Sequence, residues 1–250
     1  MKLHILGSSS RGNCYLLRSE TTGEVLAIEA GVKFSRVKEA LGFDISSVVG
    51  CIVTHEHGDH AKYAGDFLHA RIPVYMSSGT MHKVIDMNAT GPIPLLIEAG
   101  AQVKIGGFKV MAFDVQHDAA EPLGYLIHHP ECGTVLFATD TYFLKYKFAG
   151  LSNVMIECNY RLDILEHNIA SGTVSPVVRN RIIKSHMSYG TCVETLQAND
   201  LSRVNNILLI HLSGDNSNAG EFVRGIRAAT GKNVMAARKG MIIDFNKTPY

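Results

Sequence analysis

Four ligand-type side chains fall within six residues of this sequence: His55, His57, Asp59 and His60, in T-H-E-H-G-D-H. Imidazole and carboxylate without thiolate suit Zn, Mn or Fe. Residues two apart in an extended segment point the same way, so His55 and His57 can grip one ion. If the chain then turns into a helix, Asp59 and His60 are redirected toward a second position nearby. Two ions ~3.5–4 Å apart stabilise both the attacking and the leaving oxygen of a displacement, so the cluster points to a two-metal hydrolase. The competing reading is a histidine-rich surface turn that binds nothing. An isolated H-x-H would favour it; four ligand types at a strand end argue against it.

Strands must position these groups. One apolar run ends at His55, another at His117 in V-M-A-F-D-V-Q-H-D, a third at Asp140 in V-L-F-A-T-D and a fourth at His211 in I-L-L-I-H. Taken singly, His117, Asp140 and His211 are as well explained as satisfied core or loop residues. Together, four strand ends of two sheets can meet at one edge, which is a rigid way to hold metal. The pattern predicts strands over Lys2–Leu6, Asn13–Arg18, Val25–Glu29, Val48–Thr54, Pro73–Met76, Gln102–Ile105, Lys109–Gln116, Leu123–His128, Thr134–Thr139, Val154–Glu157, Ile207–His211, Val234–Ala237 and Met241–Phe245. It predicts helices over Phe34–Leu41, Asp59–His69, Thr80–Met87, Leu162–Ala170, Thr191–Asn199 and Asn218–Ala229, the last with Ser217 as N-cap and Gly231 as stop. Two packed sheets with helices outside would bury so many strands.

A second tier of residues carries weaker signals. Ser8, Ser9, Arg11 and Asn13 form a Gly-flanked polar loop that can cradle phosphate, or simply turn the chain. Asn159 follows a strand and can bond substrate or a metal ligand, or form a turn. Arg179, Arg181 and Lys184 can contact a nucleic-acid backbone or be a solvated face. His128 and His129, before Pro130, read as surface residues of a hairpin.

The 250 residues suffice for a single domain, 1–250, with a well-buried core. No apolar run approaches the ~20 residues that span a membrane, and no leader segment is evident, so a cytoplasmic protein without membrane association is expected. Five scattered cysteines without C-x-x-C argue against disulfides and thiolate zinc. A net charge of +1 neither indicates nor excludes a nucleic-acid partner, and nothing identifies a protein partner.

H-E-H-G-D-H, followed by a His, an Asp and a His each at a strand end, resembles the metallo-β-lactamase fold superfamily. G-S-S-S-R-G-N-C-Y-L-L, H-D-A-A-E-P-L-G-Y, E-C-N-Y, S-H-M-S and H-L-S-G-D-N-S-N resemble its YycJ/WalJ-like branch of exonuclease-type proteins, over nearly the whole chain. The resemblance implies an α+β fold, a four-layer αββα sandwich. It implies one ion held by His55, His57 and His117, a second by Asp59, His60 and His211, and Asp140 bridging. Glu29, in A-I-E-A-G, stands where the family usually has an aspartate that supports the cluster from behind. No long insertion separates Asp140 from His211, so the extra domain of ribonuclease J-like relatives is not expected. His186, in S-H-M-S, would face the cleft and bind a phosphate or protonate a leaving oxygen; the alternative is an ordinary loop histidine.

The expected function is therefore a binuclear phosphodiesterase using Zn or Mn, acting on nucleic acid as a DNA exonuclease. A hydroxide held between the ions and oriented by Asp59 would attack phosphorus, with His186 or a metal-bound water protonating the departing oxygen. Ser9, Arg11, Asn13 and Asn159 would contact substrate. Fold alone leaves open a cyclic nucleotide phosphodiesterase, a lactonase or a thioesterase, and also a non-catalytic metal-binding module.

Overall fold

A computed structural model of the chain describes residues 1–85 and 91–249. Among them the first half runs β1 (Lys2–Gly7), β2 (Cys14–Arg18), β3 (Val25–Ile28), α1 (Phe34–Ala40), β4 (Val48–Ile52), α2 (Gly58–Ala61), α3 (Ala64–His69), β5 (Val74–Met76), α4 (Ser78–Val84) and β6 (Leu95–Leu96). The second half runs β7 (Gln102–Ile105), β8 (Phe108–Asp114), β9 (Leu123–His129), β10 (Gly133–Ala138), β11 (Leu151–Glu157), α5 (Leu162–Ala170), α6 (Pro176–Ser185), α7 (Tyr189–Ala198), β12 (Asn206–Ile210), α8 (Ala219–Thr230), β13 (Asn233–Ala236) and β14 (Ile242–Asp244). The strands form two sheets, β14-β1-β2-β3-β4-β5-β6 and β13-β12-β11-β10-β9-β8-β7.

Alternation of side chains explains the layering. Tyr15, Leu17, Leu26 and Ile28 of the first sheet meet Phe137, Met155, Leu208 and Ile210 of the second in one inner core. Their neighbours Leu16, Val25 and Ala27 point the other way, onto Phe34 and Val37 of α1 and Phe67 of α3. On the far side, Val154, Ile156, Ile207 and Leu209 cover Cys192 and Leu196 of α7 and Phe222 and Ile226 of α8. Strands apolar on both faces thus produce a four-layer αββα sandwich. Each fully buried Leu, Ile or Phe contributes about 1.5–3 kcal/mol. All five cysteines are free and buried. Among the described residues no helix is long and apolar enough to cross a membrane.

Strand direction decides where chemistry can gather. β3 and β4 are parallel, and β1 shares their direction through two antiparallel pairings with β2. In the second sheet β10, β11 and β12 are parallel, and β8 joins them through antiparallel β9. With β5 and β6 continuing parallel to β4 and β13 parallel to β12, ten C-terminal strand ends among the described residues therefore open on one edge.

Several local expectations are corrected. The predicted helix over Asp59–His69 is two short ones, because the Tyr63 N–H turns aside to the Ala30 carbonyl. α8 is capped by Asn218, whose side chain accepts from the Glu221 N–H; the Ser217 hydroxyl instead donates to the Ser213 carbonyl. Gly231 ends that helix at φ 68°. α6 is absent from the predicted set. α4 begins at Ser78 after its cap Ser77, while the predicted extension to Met87 lies outside the described residues. His129 is buried rather than superficial, its ring 4.8 Å from that of Phe108.

Candidate metal centre

The ligand-type residues all sit just beyond these co-directional ends. β4 runs into His55 and, through the turn of α2, into Asp59 and His60; β8 runs into His117, β10 into Asp140 and β12 into His211. Two close approaches seat the turn. The Asn13 N–H donates to the Asp59 carbonyl at 2.8 Å and the Ala30 N–H to the His60 carbonyl at 2.7 Å. Gly31 makes this possible, since a Cβ there would stand 1.7 Å from the Asp59 carbonyl oxygen. Glu29, Asp140 and His211 all have left-handed backbone, at φ 68°, 45° and 53°. The backbone turns sharply at these residues; Asp140 and His211 line the cleft, while Glu29 is buried behind it.

Three donor sets result. His55, His57, His117 and Asp140 form the first, Asp59, His60, Asp140 and His211 the second, and Asp140, Glu157, His186 and His211 the third; within each the donor atoms lie within 4.8 Å of one another. Asp140 belongs to all three, and the first two share no other residue. Its Oδ2 lies 3.6 Å from His55 Nε2, 3.5 Å from His117 Nε2 and 3.4 Å from His60 Nε2. Asp59 Oδ2 lies 3.3 Å from His60 Nε2 and 3.2 Å from His211 Nε2.

The chemistry of these atoms fits divalent cations. His55 Nε2 is buried without a hydrogen-bond partner, which is costly for a polar atom unless a cation uses its lone pair. Burial, aided by nearby His60, holds the His55 pKa well below its usual value, so its ring is in the neutral, ligating form. Burial opposes ionisation of Asp140, yet the facing His211 and His60 rings hold its carboxyl well below the usual range. Burial likewise opposes protonation of His211, but Asp140, Asp59 and Glu157 outweigh it and push its pKa up to about 10. A field this negative attracts cations, and metal would displace those protons.

Buried partners orient the donors. The Thr54 hydroxyl donates to Glu29 Oε1 at 2.6 Å and lies 2.9 Å from His55 Nδ1. Glu29 Oε1 is also 3.3 Å from His60 Nδ1, so one acid stands behind a residue of each of the first two sets. His117 Nδ1–H donates to the Ser185 carbonyl at 2.8 Å, which leaves Nε2 for the cluster. The Ser8 hydroxyl accepts from the His211 N–H at 3.0 Å.

Sequence reasoning missed Glu157. It is fully buried at the end of β11 and accepts from the Thr141 and Met187 N–H groups, both at 3.0 Å. Its Oε1 faces His186 Nδ1 at 2.7 Å and His211 Nδ1 at 3.1 Å. Burial opposes protonation of His186, but the Glu157 carboxylate prevails and raises its pKa. With Nδ1 so engaged, His186 presents Nε2 to the cleft.

The cleft holds about 400 Å³ beside Asp59, Asp140, His186 and His211, walled by Val178, Arg181 and Ile182 of the unanticipated α6. The polar loop reaches it through Ser10 rather than Ser9 or Arg11; the Ser9 hydroxyl accepts from the Arg11 N–H, and Arg11 is exposed. Asn13 and Asn159, expected to contact substrate, are buried behind the donors. Asn13 Nδ2 donates to the Asp59 carbonyl at 3.2 Å and lies 3.1 Å from His60 Nε2. Asn159 Nδ2 donates to the His211 carbonyl at 2.8 Å. Their Nδ2 groups are committed to the backbone beside ligand-type residues, while Asn13 Oδ1 is buried without a hydrogen-bond partner. Of the three basic residues, Arg179 is tied to Glu166, Lys184 is exposed, and only Arg181 lines the cleft, 3.4 Å from Asp118 Oδ2.

Residues 31–212 match the family model of the Beta-lactamase superfamily domain. The chain is similar to the exodeoxyribonuclease YycJ of Bacillus anthracis, 29% identical over 234 residues that cover 87% of this chain and 85% of the relative. Among solved structures it is similar to the metallo-beta-lactamase fold protein YhfI of Bacillus subtilis, with a TM-score of 0.70, 15% identity, and 97% and 98% of the two chains covered. It is likewise similar to a diphosphatase of the PhnP family, with a TM-score of 0.69, 16% identity and 98% of each chain covered. At these identities the two structures speak to the fold.

Proposed function

The chain belongs to the β-lactamase superfamily domain family, and from that premise we propose that it is a binuclear metal-dependent phosphodiesterase acting on nucleic acid, as a DNA exonuclease. The observation that carries this reading is the first two donor sets, which share Asp140, with the His186–Glu157 pair at its side. His55, His57 and His117 would hold one ion and Asp59, His60 and His211 the other, with Asp140 common to both sets. The donor types accept Zn or Mn. When bound, the ions act as Lewis acids that activate water and withdraw charge from a phosphoryl oxygen.

This chain's own residues do the rest. The His60 and His211 contacts of Asp59 fall on Oδ2, which leaves Oδ1 to orient the attacking water. Arg181 stands at the mouth of the cleft, where a guanidinium grips phosphate through paired hydrogen bonds. His186, kept protonated by Glu157, hands a proton from Nε2 to the departing oxygen. A charged lining with a guanidinium favours an anionic phosphodiester over a lactone or thioester. The exodeoxyribonuclease relative supports DNA as substrate.

The test is digestion of end-labelled single- and double-stranded DNA and RNA by metal-stripped protein resupplied with Mn, Zn or Mg. Metal-dependent release of nucleotides from DNA ends is expected, and its loss in folded His55→Ala and Asp59→Ala variants. Full metal-dependent nuclease activity in those variants would sink the assignment. Hydrolysis of bis-p-nitrophenyl phosphate without DNA cleavage would select a small phosphodiester instead.

A further inference from the structure

Outside the metal cleft, one groove combines cationic rim and apolar floor. It holds about 440 Å³ between the first two turns of α8 and the C-terminal end of β13. Val223, Met235 and Met241 line its floor, Arg224 and Arg238 its rim, and no acidic side chain lines it. Arg224 Nη1 lies over the first turn of α8, 3.4 Å from where a Cβ on Gly220 would stand. Both arginines are exposed, and among the described residues neither is paired with a carboxylate. The other large surface cavities differ. One mixes Arg18 with Glu24 and Asp44, and another is lined by asparagines and Asp244 without a cation.

The groove opens on the same edge as the metal centre. β13 is parallel to β12, and the Ala237 N–H donates to the Leu209 carbonyl at 2.8 Å, two residues before His211. The segment carrying Arg238 then crosses to the first sheet. There the Gly240 N–H donates to the Ile5 carbonyl at 2.8 Å, three residues before Ser8, whose hydroxyl holds the His211 N–H. With strands ~4.8 Å apart, Arg238 stands on the order of 10 Å from His211.

We propose that this groove binds the single-stranded nucleic acid leading into the metal centre, with phosphates on Arg224 and Arg238 and base faces against Met235 and Met241. The assignment rests on the nuclease reading above. Guanidinium groups without acidic competitors favour a polyanion, and an apolar floor accepts any base face, so the contact is independent of sequence. It gives the enzyme a preference for strands longer than the few nucleotides that fill the cleft.

The experiment compares the metal-loaded wild type with Arg224→Glu/Arg238→Glu on bis-p-nitrophenyl phosphate, a dinucleotide and a long single-stranded oligonucleotide over a series of salt concentrations. For the long strand, KM rises at least ~10-fold, and the slope of log KM against log salt falls by roughly 1.4, about 0.7 for each phosphate no longer neutralised. Rates on the two small substrates stay within about twofold, which also reports that the variant is folded. If the variant cleaves the long strand with wild-type KM and slope, the groove assignment is overturned while the nuclease reading stands. If the variant loses the small substrates equally, the arginines serve the centre itself and the assignment falls too. If the wild type hydrolyses only the small phosphodiesters, the nuclease reading fails and the groove assignment with it. Unchanged strand cleavage together with concentration-dependent self-association that the variant abolishes would mark the groove as an interface between copies of the chain, and would overturn the assignment as well.

Discussion

Glu157→Gln removes one charge and almost no volume from beneath the metal centre. Oε2 accepts from two backbone N–H groups, Thr141 and Met187, and Oε1 faces the Nδ1 atoms of His186 and His211. In the variant the amide oxygen keeps the two N–H groups, because an NH2 facing them would leave donors opposed. The new NH2 then faces both rings and requires a lone pair on each Nδ1. The ring protons move to Nε2, and on His211 that is the atom 3.2 Å from Asp59 Oδ2, inside the second donor set. A protonated Nε2 cannot ligate. Losing one hydrogen bond to a charged group costs about 1.5–3 kcal/mol, which matches the ~10–100-fold loss of metal affinity seen when such supporting residues are changed. Competition against a chromophoric chelator should show one of two sites weakened by that factor. His186 also loses the carboxylate that raises its pKa. Activity that needs its proton disappears as pH rises through that pKa, so the alkaline limb of the kcat profile should move to lower pH. A folded variant with wild-type metal affinity at both sites and an unmoved alkaline limb would refute the tautomer argument.

Three further outcomes are expected. Arg181→Ala should raise KM for a phosphodiester about 10-fold with kcat within a few-fold, the loss of one charge-assisted hydrogen bond worth ~1.4 kcal/mol; a fall in kcat at constant KM would contradict its placement at the mouth. Tyr125→Phe removes a buried hydroxyl that donates to the Val53 carbonyl at 2.6 Å, joining the second sheet to the first; urea denaturation should show about 1–2 kcal/mol less stability at unchanged m. Glu131 accepts from the Ser19 hydroxyl and the Glu20 N–H and pairs with the Met1 ammonium at 2.9 Å. Burial opposes its ionisation, but these partners hold its carboxyl well below the usual glutamate value of 4.5. Its stabilisation is complete above that value and is lost as pH falls through the lower folded value. The thermal midpoint of Glu131→Gln should therefore decline less steeply than that of the wild type between about pH 5 and pH 3, and parallel declines would count against the clamp.

Four ligand-type residues, His55, His117, Asp140 and His211, are legible in the sequence because each follows an apolar run at the point where a strand must end, and His57, Asp59 and His60 because of their spacing after His55. Glu157 ends such a run too, but β11 is buried along its whole length, and a lone acid after it reads as the return to solvent. Asn13 and Asn159 read as polar loop residues; which way an amide points depends on packing that no local pattern encodes. α6 escapes the pattern because its apolar and charged residues are poorly segregated, although Ser175 followed by Pro176 is a helix-start signal. The break between α2 and α3 comes from the Ala30 carbonyl, distant in sequence from both helices.

The left-handed backbone at Glu29, Asp140 and His211 bears on how this protein can age in evolution. A residue with a Cβ in that region gives up roughly 1–3 kcal/mol, so these three positions hold a stability reserve that the proposed activity would keep locked. A lineage freed from the reaction gains that reserve by accepting glycine at 29, 140 or 211. It gains nothing comparable at His55 or His117, where the backbone carries no such strain. Decay should therefore be ordered. Descendants that have lost the activity would show glycine first at the three reversals, with His55 and His117 lingering as relics of a centre already dismantled.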